Sequence, residues 1–147
     1  MFSQTVEYAL RAVVCLAQSD GNPLTTQQIS ALTRVPASYM SKVLQLLGRA
    51  TLISATRGIG GGYVLSVRPA ELSVLQVVNA IDPLKRISTC PLGLPSHGAH
   101  LCPLHARLDR VLADAEESFR STTIAELLID RSRSTPLCEM RPVKGAH

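Results

Sequence analysis

Apolar positions recur at helical spacing from the start of the chain. Val6, Leu10, Val13, Val14 and Ala17 form one stripe over residues 3–18, and the run ends at the turn Ser-Asp-Gly-Asn-Pro. The next run, TTQQISALTRV, predicts a short helix capped by Thr25 or Thr26 and stopping before Pro36. A third helix, SYMSKVLQLLGRA, is expected to start from a cap at Ser38, with Met40, Val43, Leu44 and Leu47 on one face. The period then changes. LISA and YVLSV read as strands around a glycine-rich tip, which predicts a β-hairpin. From Pro69 onward ELSVLQVVNAID returns to helical spacing and ends at Asp82-Pro83. A longer helix begins near Pro103, a residue suited to a first helical turn, with Leu104, Leu108, Val111, Leu112, Ala115 and Phe119 in one stripe. Thr123 and Glu126 make a capping-box pattern for a last short helix, TIAELLI. Residues 131–147 show no period and read as a loose tail, in which Cys138 and His147 are not assigned to a metal.

Two short helices joined by a tight turn, the second carrying Tyr39, Ser41 and Lys42 near its start, form a helix-turn-helix pattern. A hairpin directly after the recognition helix is a wing. The expected class is therefore mainly α: a winged helix-turn-helix with a small β-hairpin wing, plus a long C-terminal helix. GIGGG superficially matches a nucleotide fingerprint, but that fingerprint must open a helix, and Tyr63-Val64-Leu65 continues as a strand. The glycines instead suit close backbone approach to DNA, with Arg57 reaching a groove or a phosphate. The bland alternative is a flexible hairpin with a solvated arginine. The stripe on the long helix suits pairing with a second helix or packing on its own core, and its period does not separate the two.

Composition sharpens this picture. The length, 147 residues, fits one compact domain or a small domain with an appendage. With no Trp, two Phe and three Tyr, the core must be built from aliphatic side chains. The net charge is +4, and up to Ser66 the bases Arg11, Arg34, Lys42, Arg49 and Arg57 stand against only Glu7 and Asp20. That is a modest nucleic-acid footprint in the first half. No stretch approaches the run of about 20 apolar residues that spans a bilayer. The first residues lack a basic segment and are interrupted by Glu7 and Arg11, so they do not read as a secretion signal. A cytoplasmic location is expected, with no membrane partner. Four cysteines are too few for a disulfide scaffold, and Cys15, inside the first helix, reads as a small buried hydrophobe.

The segment that packing does not explain is CPLGLPSHGAHLCPLH, Cys90 to His105. Its residue types are those of metal and redox chemistry. Zinc accepts mixed Cys and His donors, although the tight CxxC knuckle is missing. Two thiols could form a reversible disulfide switch, with Cys102, at a helix start, expected to be the more acidic. A plain connecting loop is the remaining reading.

The order of these parts resembles the IscR/NsrR-type (Rrf-type) family of bacterial winged-helix transcription regulators, its iron–sulfur and redox-sensing branch, over roughly residues 1–130. The resemblance rests on TVEYALRAVVCLA, VPASYMSKVLQLL and above all TRGIGGGYVLSVRPAELSVLQVVNAID. It implies a homodimer paired through the long helix and two winged helices on a palindromic operator in double-stranded DNA. Residues 1–68 would bind DNA, and 69–130 would carry the sensor loop and the dimerisation helix. The family's DNA contacts map to Ser38, Tyr39, Ser41, Lys42 and Arg57, with Thr26, Gln28, Gly60 and Gly61 completing the set. Ser41 falls at the base-reading position. Cluster-binding members carry three loop cysteines with five residues between successive ones. Here Cys90, Ser96 and Cys102 keep that register, and His105 follows after two more residues. The middle cysteine is missing. The implied ligand set is Cys90, Cys102, His105 and Glu7, the last from the other subunit, with His97 and His100 as further candidates. Such a set suits a [2Fe–2S] cluster, and histidine ligation would raise its potential. Zinc or no metal are the alternatives. A regulator answering to a small molecule remains a third reading. An oxidoreductase is disfavoured, because the chain lacks substrate-site motifs and a CxxC pair.

Overall fold

The computed structural model describes residues 2–97 and 100–129; the tail with Cys138 and His147 lies outside them. Helix α1 (Gln4–Gln18) starts at an N-cap Ser3, whose hydroxyl accepts from the Val6 amide. It buries Val6, Ala9, Ala12, Val13, Val14, Cys15 and Leu16, and it touches α2 (Thr26–Thr33), α3 (Ala37–Arg49), strand β2 (Gly62–Leu65), α4 (Val74–Ile81) and α6 (Ile124–Ile129). A helix with buried residues on more than one side belongs inside a fold rather than on its surface. The two alanines, both fully buried, let neighbouring backbones come close.

Helix α2 is closed at its start by a full capping box. The Thr25 hydroxyl accepts from the Gln28 amide, and the Gln28 side-chain carbonyl accepts from the Thr25 amide. Of the two threonines, Thr25 is the cap. At the other end Arg34 adopts a left-handed conformation, φ 57°, at the C-cap, a role more often given to glycine. The Val35 amide donates to the Ser30 carbonyl, completing the tight turn into α3. The expected cap at Ser38 is corrected. The N-cap of α3 is Pro36, extended and without a side-chain cap bond, and Ser38 lies inside the first turn. Proline already holds a backbone angle that leads into a helix, so the serine hydroxyl is not needed there.

Strand β1 (Ile53–Thr56) pairs antiparallel with β2 in the register Ile53–Leu65, Ser54–Val64, Ala55–Tyr63 and Thr56–Gly62. The hairpin is not a loose arm. Leu24, in the turn after α1, exchanges two backbone bonds with Tyr63, at 3.1 and 2.7 Å. This third backbone segment approaches so closely that a Cβ on Gly62 would lie 2.5 Å from the Leu24 carbonyl carbon.

Helix α4 starts later than the sequence pattern predicts, after the capping residue Ser73, so Leu72 is buried just outside it. The long helix α5 (Pro103–Ser121) has no buried residue among those described, and its Leu104 and Val111 are 62 % and 55 % exposed. The chain then returns to the core. Ile124 is fully buried, its amide donates to the Leu72 carbonyl, and Thr123 and Glu126 form the expected reciprocal bonds. No helix among the described residues is long and apolar enough to cross a membrane.

Because the Gly62 site meets backbone rather than a flexible side chain, Gly62→Ala must separate the hairpin from Leu24. We expect a loss of about 1–3 kcal/mol in urea unfolding, with Gly58→Ala, which meets no atoms and carries only the strain of its φ of 99°, costing less.

Candidate nucleic-acid interface and cysteine–histidine loop

Met40, Val43, Leu44 and Leu47 face inward from α3, which leaves Ser38, Tyr39, Ser41 and Lys42 exposed. Ser41 and Lys42 line one side of a shallow cleft, with Ser54 and Ala55 of β1 on the other. The recognition helix and the hairpin therefore form one continuous surface. Arg57, Gly60 and Thr56 extend it toward the hairpin tip, all exposed, while Gly61 is half-buried. Gly61 is required there on steric grounds, since a Cβ would stand 2.3 Å from the Thr56 carbonyl oxygen. Thr26 and Gln28 sit in the first turn of α2. The Gln28 carbonyl is occupied by the capping box, so its amide nitrogen is the end open to an outside acceptor.

A network that residue-by-residue reading misses ties α1 to this surface. The Arg11 guanidinium donates to Glu7 at 2.8 Å and to the Thr33 carbonyl at 3.1 Å, at the end of α2. It also lies over the Tyr8 ring, 5.4 Å from its centroid. Tyr8 in turn meets Tyr39 of α3 edge-on at 6.1 Å. The four-residue spacing of Glu7 and Arg11 is visible in the sequence; the reach to α2 and α3 is not.

The ligand-type loop resolves into two separate pairs. Cys90 is buried, with its sulfur 3.9 Å from the His97 ring nitrogen, and a 3-10 turn at Pro95–His97 brings the histidine back. Cys102 is the N-cap of α5, and His105, one turn on, comes within 3.3 Å of its sulfur. His100 and Ser96 are exposed and belong to neither pair. Cys15, Cys90 and Cys102 are not joined in disulfides. The Cys90 thiol is held below its ordinary value. Hydrogen bonding from the Leu94 backbone is the main cause, the Leu92 backbone and His97 add to it, and burial opposes it. Folding of the loop, not a helix terminus, supplies this effect.

The donor types present suit a two-iron cluster or zinc, but among the described residues no three Cys, His, Asp or Glu converge on one point. Glu7 lies on α1, in its ion pair with Arg11.

The segment entering the loop is pinned to α5. Arg86 makes a two-pronged bond to Asp109, both contacts 2.7 Å, and the Ile87 amide donates to the same carboxylate at 2.9 Å.

The family model described as Rrf2, iron-dependent transcriptional regulator, matches residues 2–130. The chain belongs to the Rrf2 family of transcription regulators. The HTH-type transcriptional regulator IscR of Photorhabdus laumondii is 31 % identical over 124 residues, covering 84 % of this chain and 75 % of that one. IscR of Aliivibrio salmonicida is 30 % identical, covering 84 % and 74 %. Among solved structures, CymR (YrzC), the global cysteine regulator of B. subtilis, superposes with a TM-score of 0.71 at 22 % identity, over 86 % of this chain and 95 % of that one. IscR of T. potens gives the same TM-score and identity over 87 % and 85 %. At these identities the structural likenesses establish the winged-helix fold, and the relatives are transcription regulators rather than enzymes.

The loop anchor has a defined pH signature. Arg86 chiefly, aided by the Ile87 amide, holds the Asp109 carboxyl at about 2 against an ordinary 3.8. The folded state thus takes up its proton later than the unfolded chain. The stabilisation is complete above pH 3.8 and is lost as pH falls toward 2. Asp109→Asn should lower the melting temperature relative to the parent at neutral pH, with the gap closing over that window, and should speed hydrogen exchange at the Ile87 amide.

Proposed function

We propose that this protein is a homodimeric regulator that binds a palindromic operator in the cytoplasm and whose Cys90–His105 loop senses redox, nitric oxide or iron–sulfur status. Residues 1–68 supply the DNA surface, and 69–130 the loop and the pairing helix. The observation that carries the reading is the sidedness of α3. Its apolar half is buried, while Ser38, Tyr39, Ser41 and Lys42 stand outward beside Arg57 and the wing. Ser41, exposed on α3, would hydrogen-bond a base edge. Lys42 and Arg57 act on phosphates or in a groove, and Gly60 and Gly61 allow the wing backbone to come near. With no side-chain cap at Pro36, the first amides of α3 are also available to a backbone phosphate. The exposed α5 stripe, continued by half-buried Leu112 and Ala115, suits pairing with a second copy.

For the loop, Cys90, Cys102 and His105 of one chain and Glu7 of the partner subunit would hold a [2Fe–2S] cluster, with His97 or His100 as alternative donors. Such a cluster would supply one-electron chemistry and sensitivity to nitric oxide. The chain's own residues provide the coupling. Glu7 steadies Arg11, Arg11 holds the Thr33 carbonyl at the turn that aims α3, and Tyr8 bears on Tyr39. Any reaction at the loop that draws Glu7 from Arg11 loosens this link and shifts the population of operator-competent recognition helices.

One observation favours a second reading, a metal-free thiol switch: the lowered Cys90 thiol. There, oxidation by a peroxide would remove two electrons and two protons from Cys90 and Cys102 and join their sulfurs.

Anaerobic purification separates these readings. Visible absorption bands would indicate a cluster; a colourless protein that loses two thiols to peroxide would indicate the switch. In either case Cys102→Ala should leave the dimer and basal operator binding intact and abolish the response, and a variant that responds like the parent removes the loop from the mechanism. For the DNA surface, Lys42→Ala should weaken binding to all sequences alike and reduce the slope of log K against log salt by about one in fluorescence anisotropy titrations.

A further inference from the structure

The most exposed large apolar side chain among the described residues is Ile59, at 110 %, and it stands at the very tip of the wing. Its placement is built rather than incidental. The Gly61 amide donates to the Gly58 carbonyl at 3.0 Å, closing a four-residue turn with Ile59 and Gly60 at its centre. Gly60, at φ 77°, holds the left-handed position that a type II turn requires, which leaves Ile59 at the outer corner. The Leu24–Tyr63 bonds hold β2 near its tip-side end, one pair from the turn, so the tip is carried on a braced support. Arg57, exposed, precedes the turn by one residue. Turn tips in water favour polar residues, and a β-branched aliphatic here has no core to join.

We propose that Ile59 enters the minor groove of A·T-rich DNA flanking the major-groove site of α3, with Arg57 beside it. This rests on the reading of α3 and the wing as a DNA surface. An isoleucine and an arginine carried together on a narrow, glycine-flanked turn match that groove in two ways. A narrow A·T minor groove concentrates negative potential that attracts arginine, and its floor lacks the guanine amino group that would block an aliphatic side chain. Apolar side chains, isoleucine among them, are used in this way by minor-groove proteins. Ile59 thus adds sequence preference at base pairs that α3 does not touch.

The test starts from operators selected by the parent dimer from random duplexes. A·T enrichment is expected in the flank under each wing. Replacing those pairs by G·C should weaken parent binding about tenfold, whereas inosine·C pairs, which lack the minor-groove amino group, should be tolerated. Ile59→Ser should lose about tenfold in affinity and lose the distinction between the two replacements, and Ile59→Leu should restore both. The inference is overturned if Ile59→Ser matches the parent within twofold with an unchanged flank preference while Lys42→Ala still binds weakly. It is likewise overturned if that variant binds DNA normally but fails in a purified transcription assay, which would assign Ile59 to a protein contact. A parent that selects no sequence would instead bring down the DNA reading itself.

Discussion

Burial of α1 is the constraint on which the other elements depend. Ala9, Ala12 and Val13 are wholly excluded from water, and α2, α3, α4, α6 and β2 all take their positions against this one helix. Small side chains at its centre allow close approach, and the surrounding leucines and valines supply the apolar area removed from water. Ile124, far along the chain, returns to the same cluster. The recognition helix is thus oriented by its buried face on α1, and its chemistry is carried by whatever that packing leaves outside.

The same helix carries a polar link to the helix-turn-helix. Glu7, Tyr8 and Arg11 occupy the partly exposed side of α1, next to the helix-turn-helix and away from its deepest contacts. An exposed ion pair of this kind adds little stability. Its value lies in geometry, because Arg11 spans from a carboxylate to the end of α2 and covers the ring that meets Tyr39. The bidentate Arg86–Asp109 contact does similar work at the other end, holding the approach to the loop against α5. Both are side-chain bridges across elements that the apolar core alone would leave less precisely set.

Much of the fold was legible in advance. Helical spacing placed α1, α3 and α5 within a few residues, Pro103 marked the start of α5, and Thr123 with Glu126 marked α6. The glycine-rich stretch forms the hairpin that its flanking strand patterns predict. The misplaced boundaries were at helix starts, where Pro36 took the position assigned to Ser38 and Ser73 began α4 after Leu72. Cap identity depends on backbone angles that apolar spacing does not carry. In the loop the residue types and their register were legible, but their grouping was not. Cys90 met His97 through a 3-10 turn, and Cys102 met His105 across the first turn of α5. Only the second pairing follows from helical spacing.

By itself, then, the sequence determined the order of helices and hairpin, the aliphatic core, the family and the kinds of donor in the loop. These follow from local periodicity and from which side chains can carry a given chemistry. Tertiary structure alone decided that Arg11 reaches the Thr33 carbonyl, that Leu24 braces the hairpin, that Cys90 holds the acidified thiol, and that Ile59 stands at a supported tip. Each of these depends on distances between segments remote in sequence or on the path of an irregular loop, and neither is encoded in the spacing of residues along one element.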